Sequence, residues 1–314
     1  MEVIGRKARW GAEQRLEFIE FISYWEGSIN RSHITEHFGV SVPQASIDLA
    51  NYQRIAPHNL QYDLSSKRYV AARDFDCKLI KPNADRYLGQ LNALTTKVVE
   101  SAETWLGDAP AADVIPIPTR RVDPNILRSM LAALRAKLSI EIEYQSLNPA
   151  ATNTAWRRIT PHALASDGFR WHIRAYCHRN SRFKDFLLSR CCGTGNEGAP
   201  GPSAEEDSQW STYLNVELVP NPRLSASQKK AVELDYAMNG GRVVLPVRLA
   251  LLYYFDKHLR IDLTSQPGPE TYDDARKSPI VVANVTEYEA ALLAIGVQRR
   301  KADSMDSTVI TQLK

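Results

Sequence analysis

Apolar residues recur at helical spacing through AEQRLEFIEFISYWEG, with Leu16, Ile19 and Ile22 on one stripe and Phe18, Phe21 and Trp25 beside it. Gly27 ends that predicted helix. NRSHITEHFGVSVPQASIDLANYQRI then predicts two shorter helices divided by FGVS. Ile34 and Phe38 face inward in the first, and Gly39 supplies a turn in which positive φ is expected. Ser41 suits the N-cap of the second, Pro43 its first turn, and Ile47 with Leu49 its core face. NLQYDLSSKRYVAA alternates about Ser65–Ser66 and predicts a β-hairpin with Lys67 and Arg68 at its tip. Helix, turn, capped helix and basic hairpin make residues 1–78 a winged helix-turn-helix. Residues 79–119 predict a helical connector and then an extended link, because Pro110, Pro116 and Pro118 forbid helix.

Residues 120–192 begin with a helix capped at Asp123, with Pro124 first and Ile126, Leu127, Met130 and Leu134 inward. Short strands follow, Ile140, Ile142 and Tyr144 sharing one parity. In RWHIRAY, Trp171, Ile173 and Ala175 are expected on a core face, and Arg170, His172, Arg174 and Tyr176 on a solvent face. Several short strands on one helix predict a small curved sheet or SH3-like β-barrel. Residues 193–209, rich in Gly, Pro and acid, predict a flexible linker. Residues 210–314 predict strand, helix, strand, helix, with Ser225 as N-cap, Ala231, Leu234 and Met238 on one face and Gly240–Gly241 at the helix end. PGPETYDDARKSP reads as loop and TEYEAALLAIG as helix. The chain is therefore an α+β multidomain protein.

Charge changes this picture in one place. Residues 120–192 hold 13 Lys/Arg against 5 Asp/Glu, a net of +8, in a chain whose total is +3. Guanidinium groups on alternating strands would suit phosphate. Residues 1–75 hold 9 basic and 9 acidic residues, so pattern and not charge carries the DNA-binding reading there. In that reading the second helix offers Ser41, Pro43, Gln44, Ser46, Asp48 and Asn51 to the major groove. Lys67, Arg68, Arg6 and Arg9 would meet phosphate or the minor groove. The alternative is a winged helix that binds protein.

Cys77, Cys177, Cys191 and Cys192 have no metal-ligand spacing and are expected reduced. There is no nucleophile elbow, no Walker glycines, no HExxH and no carboxylate pair in an apolar setting, so no enzyme, cofactor or metal is expected. No apolar targeting segment opens the chain and no run is long enough to span a bilayer, so the expected location is the cytoplasm, away from membrane.

The series EYQS, R-x-I-x-P-H-x-L, DGFRWHIRAYC and F-x-L-S-R resembles a WYL domain, with His172 standing where that family has its central Tyr. The resemblance implies a pocket for nucleic acid or a nucleotide-like anion. Matched residue by residue, it draws on Tyr144, Ser146, His162, Arg170, His172, Arg174 and Arg190. Winged helix, WYL domain and C-terminal extension, with RWGAEQRLEFIEFISYWEG and FGVSVPQAS, resemble the WYL repressors of the BrxR/CapW type encoded beside phage-defence systems. That implies a homodimer joined through residues 210–314, double-stranded operator DNA with an inverted repeat, and a single-stranded nucleic acid or nucleotide as ligand. An accessory nucleic-acid-binding subunit of a defence complex, without an operator, is the second reading; an activator is a third.

Overall fold

The computed structural model describes residues 2–118, 120–147, 153–259, 275–276 and 278–296, with backbone alone over 2–10. The chain divides into two units, Met1–Ile117 and Pro118–Lys314.

In the first unit, helix α1 (Glu2–Glu26) is followed by strand β1 (Ser28–Ile29), helices α2 (Arg31–Phe38) and α3 (Val42–Ile55), and a hairpin of β2 (Leu60–Asp63) and β3 (Arg68–Ala71). The sheet order is β1-β3-β2. Phe18, Ile19, Phe21 and Ile22 of α1 form the core with Ile34, Leu49, Tyr52 and Leu60. Glu20 lies fully buried among them. Its carboxylate accepts the Tyr52 hydroxyl at 3.1 Å and the backbone N–H groups of Lys78, Leu79 and Ile80 at 2.7–2.8 Å. Four donors satisfy a charge that would otherwise be too costly to bury, and they join α1, α3 and the segment after the wing. The connector is more than a spacer. Helix α4 (Ala84–Thr95) lays Tyr87, Leu91 and Leu94 on this core, and Trp105 and Leu106 complete it.

In the second unit, helix α5 (Pro124–Ala136) is capped by Asp123, whose carboxylate accepts from Asn125 N and Ile126 N. Strands β4 (Ser139–Tyr144), β5 (Ala155–Ser166), β6 (Trp171–Cys177), β7 (Arg182–Leu187) and β8 (Cys191–Gly198) form an antiparallel sheet in the order β7-β6-β5-β4-β8. β7 and β8 are its two edges, so the barrel expected from sequence is not closed among the described residues. A register shift at Pro161/Ala163 breaks the β5–β6 ladder, and two more interrupt β4–β8. Such bulges bend a sheet locally.

Residues 193–198, expected as linker, are strand. The glycines serve close approach and not flexibility: a Cβ on Gly195 would lie 3.0–3.2 Å from atoms of Glu141 and Trp156, and one on Gly198 only 2.3 Å from Arg158. Residues 204–206 form a 3-10 turn and helix α6 (Ser208–Ser211) follows. Strands β9 (Tyr213–Pro220), β10 (Val243–Arg248) and β11 (Ile280–Val282) make a second sheet, order β10-β9-β11, covered by α7 (Ala226–Asp235), α8 (Leu249–Leu259) and α9 (Val285–Ala294). Ser225 caps α7 as expected. Val232, and not Ala231 or Leu234, faces its core, because α7 docks through Leu224 and Val232. Most of the predicted loop near residue 270 lies outside the described residues.

Strand β6 is buried on both faces. Ile173 and Ala175 meet the α5 core, while His172 and Arg174, expected in solvent, are 1% and 3% exposed. The segment 204–212 and helix α8 cover them. Arg174 gives Nε and Nη2 to Asp207 at 2.7 and 3.0 Å and Nη1 to Asp185 at 3.2 Å. His162 Nε2 also bonds Asp207, at 3.0 Å. Burial works to raise the Asp207 carboxyl, but His162, Arg174 and the Trp210 N–H outweigh it and hold it well below the usual carboxylate range. Trp171, expected in the core, is 56% exposed at the strand's start.

A carboxylate whose folded value is depressed adds stability that is present above its unfolded value, about 3.9, and is lost as pH falls toward the folded value. Asp207→Asn is therefore expected to lower unfolding free energy at pH 7 by about 3 kcal/mol and to flatten its decline between about pH 5 and 2. Urea denaturation followed by tryptophan fluorescence across that range checks this; parallel pH curves for both proteins contradict it.

Candidate nucleic-acid interface and ligand face

The helix pair of the first unit is built from local signals. Asn30 caps α2 by accepting His33 N, and Gly39 takes φ 65° at its end, as expected of the turn. Ser41 caps α3 by accepting Gln44 N at 3.4 Å. The rotation of α3 is set from inside. Ala45, Asp48, Leu49, Tyr52 and Ala56 are buried, spaced at 3, 4, 7 and 11 residues from Ala45. Asp48 is held by Arg15 of α1, at 2.6 Å from Nε and 3.3 Å from Nη2. It is therefore not free to read a base edge, contrary to the expectation for it. Ile47 is 53% exposed and not core. Residues two apart on a helix stand about 200° apart, so Ile47 and Leu49 cannot share a face.

The other polar candidates of α3 make local bonds. Gln44 Nε2 donates to Asp48 at 3.0 Å, Ser46 Oγ to Val42 O at 3.0 Å, and Arg54 to the Asn51 side-chain oxygen. Val42, Pro43, Ile47, Ala50 and Arg54 are exposed. In the wing, Asp63 accepts Ser65 N, Ser65 Oγ and Ser66 Oγ at 2.7–2.9 Å, which brings its carboxyl down to about 2 and fixes the turn. Lys67 follows, exposed, at φ 54°. Arg68 lies 3.3 Å from Asp108. The side chains of Arg6 and Arg9 lie outside the described residues.

The second unit sorts its basic residues by sheet face. Arg158 pairs with Glu141 at 2.8 Å, Arg170 with Asp167 at 2.8 Å, and Arg174 with Asp185 and Asp207. His172 bonds Asp167 at 3.2 Å, and its ring lies 4.6 Å from that of Tyr254, tilted by 51°. Burial lowers the His172 imidazole over the opposing pull of Asp167 and Asp185, which favours its neutral form. Thus Arg170, His172, Arg174 and His162 meet carboxylates of their own chain, and the solvated basic face expected of β6 does not exist. Tyr144 is buried, its hydroxyl raised by that burial, accepting Leu187 N at 3.2 Å beside Arg190. Arg190 O accepts Gln145 N at 3.0 Å, which brings the Ser146 backbone near the same corner.

The opposite face carries basic residues that the sequence reading missed. Arg157 is paired across strands with Ile142, Lys184 with Ala175 and Arg182 with Cys177. Cross-strand partners share a face, so Arg157, Arg182 and Lys184 stand on the Tyr144 side of the sheet. None of the three makes an ion pair among the described residues, and Arg157 Nε is buried without a hydrogen-bond partner. Burial lowers the Lys184 ammonium, and the charges of Arg182 and Arg157 lower it further. The signal was present in RFKDF, where Arg182 and Lys184 alternate in phase with the core. Among the described residues no cluster of His, Cys, Asp and Glu could hold a metal, and no helix is long and apolar enough to cross a membrane. The four cysteines are free thiols, and burial pushes Cys191 up to about 12.

Three family profiles match the chain. They are the winged helix-turn-helix domain of the BrxR transcriptional regulator over residues 11–93, the WYL domain over 125–191, and the BrxR C-terminal dimerization domain over 213–288. The DNA-binding transcriptional repressor CapW of Escherichia coli (strain KTE188) is 38% identical over 272 residues, 86% of this chain and 90% of that protein. CapW of Pseudomonas aeruginosa is 38% identical over 285 residues, 90% of this chain and 94% of that one. CapW of Stenotrophomonas maltophilia is 36% identical over 257 residues, 82% and 85% of the two. With its three domains in the same order as these profiles, the chain belongs to the BrxR/CapW family of DNA-binding transcriptional repressors.

Proposed function

We propose that this protein is a homodimeric repressor of a phage-defence operon, acting in the cytoplasm. Its two winged helices bind an inverted repeat, and its WYL domain senses a nucleic-acid or nucleotide-like anion. The observation that carries the DNA reading is the capped α3, locked on α1 by Arg15–Asp48 with its opposite face bare. A recognition helix needs that rigidity to hold one register in the major groove. The wing adds Lys67 as a phosphate contact.

For the ligand, Arg157, Arg182 and Lys184, which make no ion pair among the described residues, support a phosphate site on the sheet face that also carries Tyr144. Planar guanidinium forks and an ammonium without carboxylate partners gain most from an incoming anion. Arg174, His162, His172 and Arg170 then act as the frame that joins the sheet to the segment after it. A ligand that prefers the DNA-free state about 100-fold weakens operator binding by at most that factor, about 2.7 kcal/mol.

Fluorescence anisotropy at about 150 mM salt, with duplex from upstream of the protein's own gene and a shuffled duplex, tests the first part. The expected preference is about 10³-fold or more, and Lys67→Ala is expected to reduce the salt slope by about one unit for both duplexes. Equal binding to the two duplexes supports the accessory-subunit reading instead. For the ligand face, Lys184→Ala and Arg157→Ala are expected to keep operator affinity within about two-fold while lowering affinity for a labelled single-stranded oligonucleotide at least ten-fold, about 1.4 kcal/mol. Unchanged oligonucleotide affinity in both variants contradicts the assignment.

A further inference from the structure

The outward face of α3 is apolar where a base-reading helix is usually described by its polar groups. Pro43, Ile47, Ala50 and Arg54 follow one another at spacings of 4, 3 and 4 residues, a single stripe along the helix. Val42 and Ile47 are 55% and 53% exposed. The polar neighbours are directed elsewhere: Gln44 to Asp48, Asn51 to Arg54, and Ser46 to its own helix backbone. The bidentate amide contacts that Gln and Asn make with adenine require both side chains to leave bonds they already hold. Ile47 needs no such rearrangement. It sits in the N-terminal half of α3, the part of a recognition helix that meets base edges, and its β-branched side chain has little rotamer freedom to lose.

On the floor of the major groove one base presents an apolar group, the C5-methyl of thymine. We propose that Ile47, flanked by Pro43 and Ala50, determines operator specificity by packing on a thymine methyl in each half-site. This rests on the DNA-binding reading of α3 given above. The occupant follows from that setting: a duplex is what the second helix of a helix-turn-helix in a DNA-binding repressor meets. Arg54, at the far end of the same stripe, is placed to meet the backbone beyond it.

The test replaces thymine by deoxyuridine, which removes the methyl and nothing else, one position at a time in an operator that the wild type binds in preference to shuffled duplex. Burying one methyl corresponds to about a four-fold change in affinity. Wild type is expected to lose about four-fold at one thymine per half-site and about fifteen-fold when both are changed. Ile47→Ala, a change at an exposed site to a better helix former, is expected to bind thymine and uracil operators equally within two-fold. Ile47→Val, which keeps the branch at Cβ, is expected to retain most of the discrimination. Specific binding by wild type with no methyl-sensitive position overturns the inference and leaves DNA binding standing. So does an Ile47→Ala protein with the wild-type pattern of sensitivity. A wild type without operator preference overturns both, and the shuffled duplex distinguishes that outcome from the first two.

Discussion

The buried carboxylate of Asp48, gripped by Arg15, decides which side of α3 the outside world meets. A helix packed only through Ala45, Leu49 and Tyr52 could roll by several degrees at small cost, because apolar contacts are not directional. A two-pronged guanidinium–carboxylate bond is directional, and leaving either partner unpaired in the core costs several kcal/mol. Glu20 does the same for the surroundings. Its four donors come from α3 and from the segment after the wing, so α1 ties both to one core. The outward face of α3 is thus fixed from beneath by buried polar contacts.

The second unit uses some of its acids in the same way. Glu141, Asp167, Asp185 and Asp207 bind Arg158, Arg170 and Arg174, and Asp207 also takes His162. Those contacts close the sheet against the segment 204–212. Arg157, Arg182 and Lys184, on the other face, make no ion pair among the described residues. A block with +8 net charge therefore does not spread it evenly. Salt bridges consume the arginines nearest the WYL-type signature, and Arg157, Lys184 and Arg182 stand opposite Ile142, Ala175 and Cys177 on the core face.

What could be read from the sequence was mostly local. Ser41, Asp123 and Ser225 cap the helices expected of them, and Gly39 turns between α2 and α3, because a cap bonds a backbone N–H two or three residues away. The wing was legible from its alternation and its turn. The phase of α3 was not, since both Ile47 and Leu49 are apolar and only the partners on α1 choose between them. The burial of His172 and Arg174 was hidden for a related reason: period-two alternation says which residues share a face, and nothing about what covers it. Here the cover comes from Asp207, more than thirty residues onward, in a stretch whose composition resembled a linker. The glycines of β8 misled in the same way, their missing side chains making room for Trp156 and Arg158.

The central claim is that two copies of α3 read an inverted repeat. DNase I footprinting of the region upstream of the protein's own gene tests it most directly. The account predicts two protected half-sites related by two-fold symmetry, with centres a whole number of helical turns apart, about 10.5 base pairs or a multiple. A single asymmetric footprint, or uniform protection that grows with protein concentration and shows no boundaries, would contradict it.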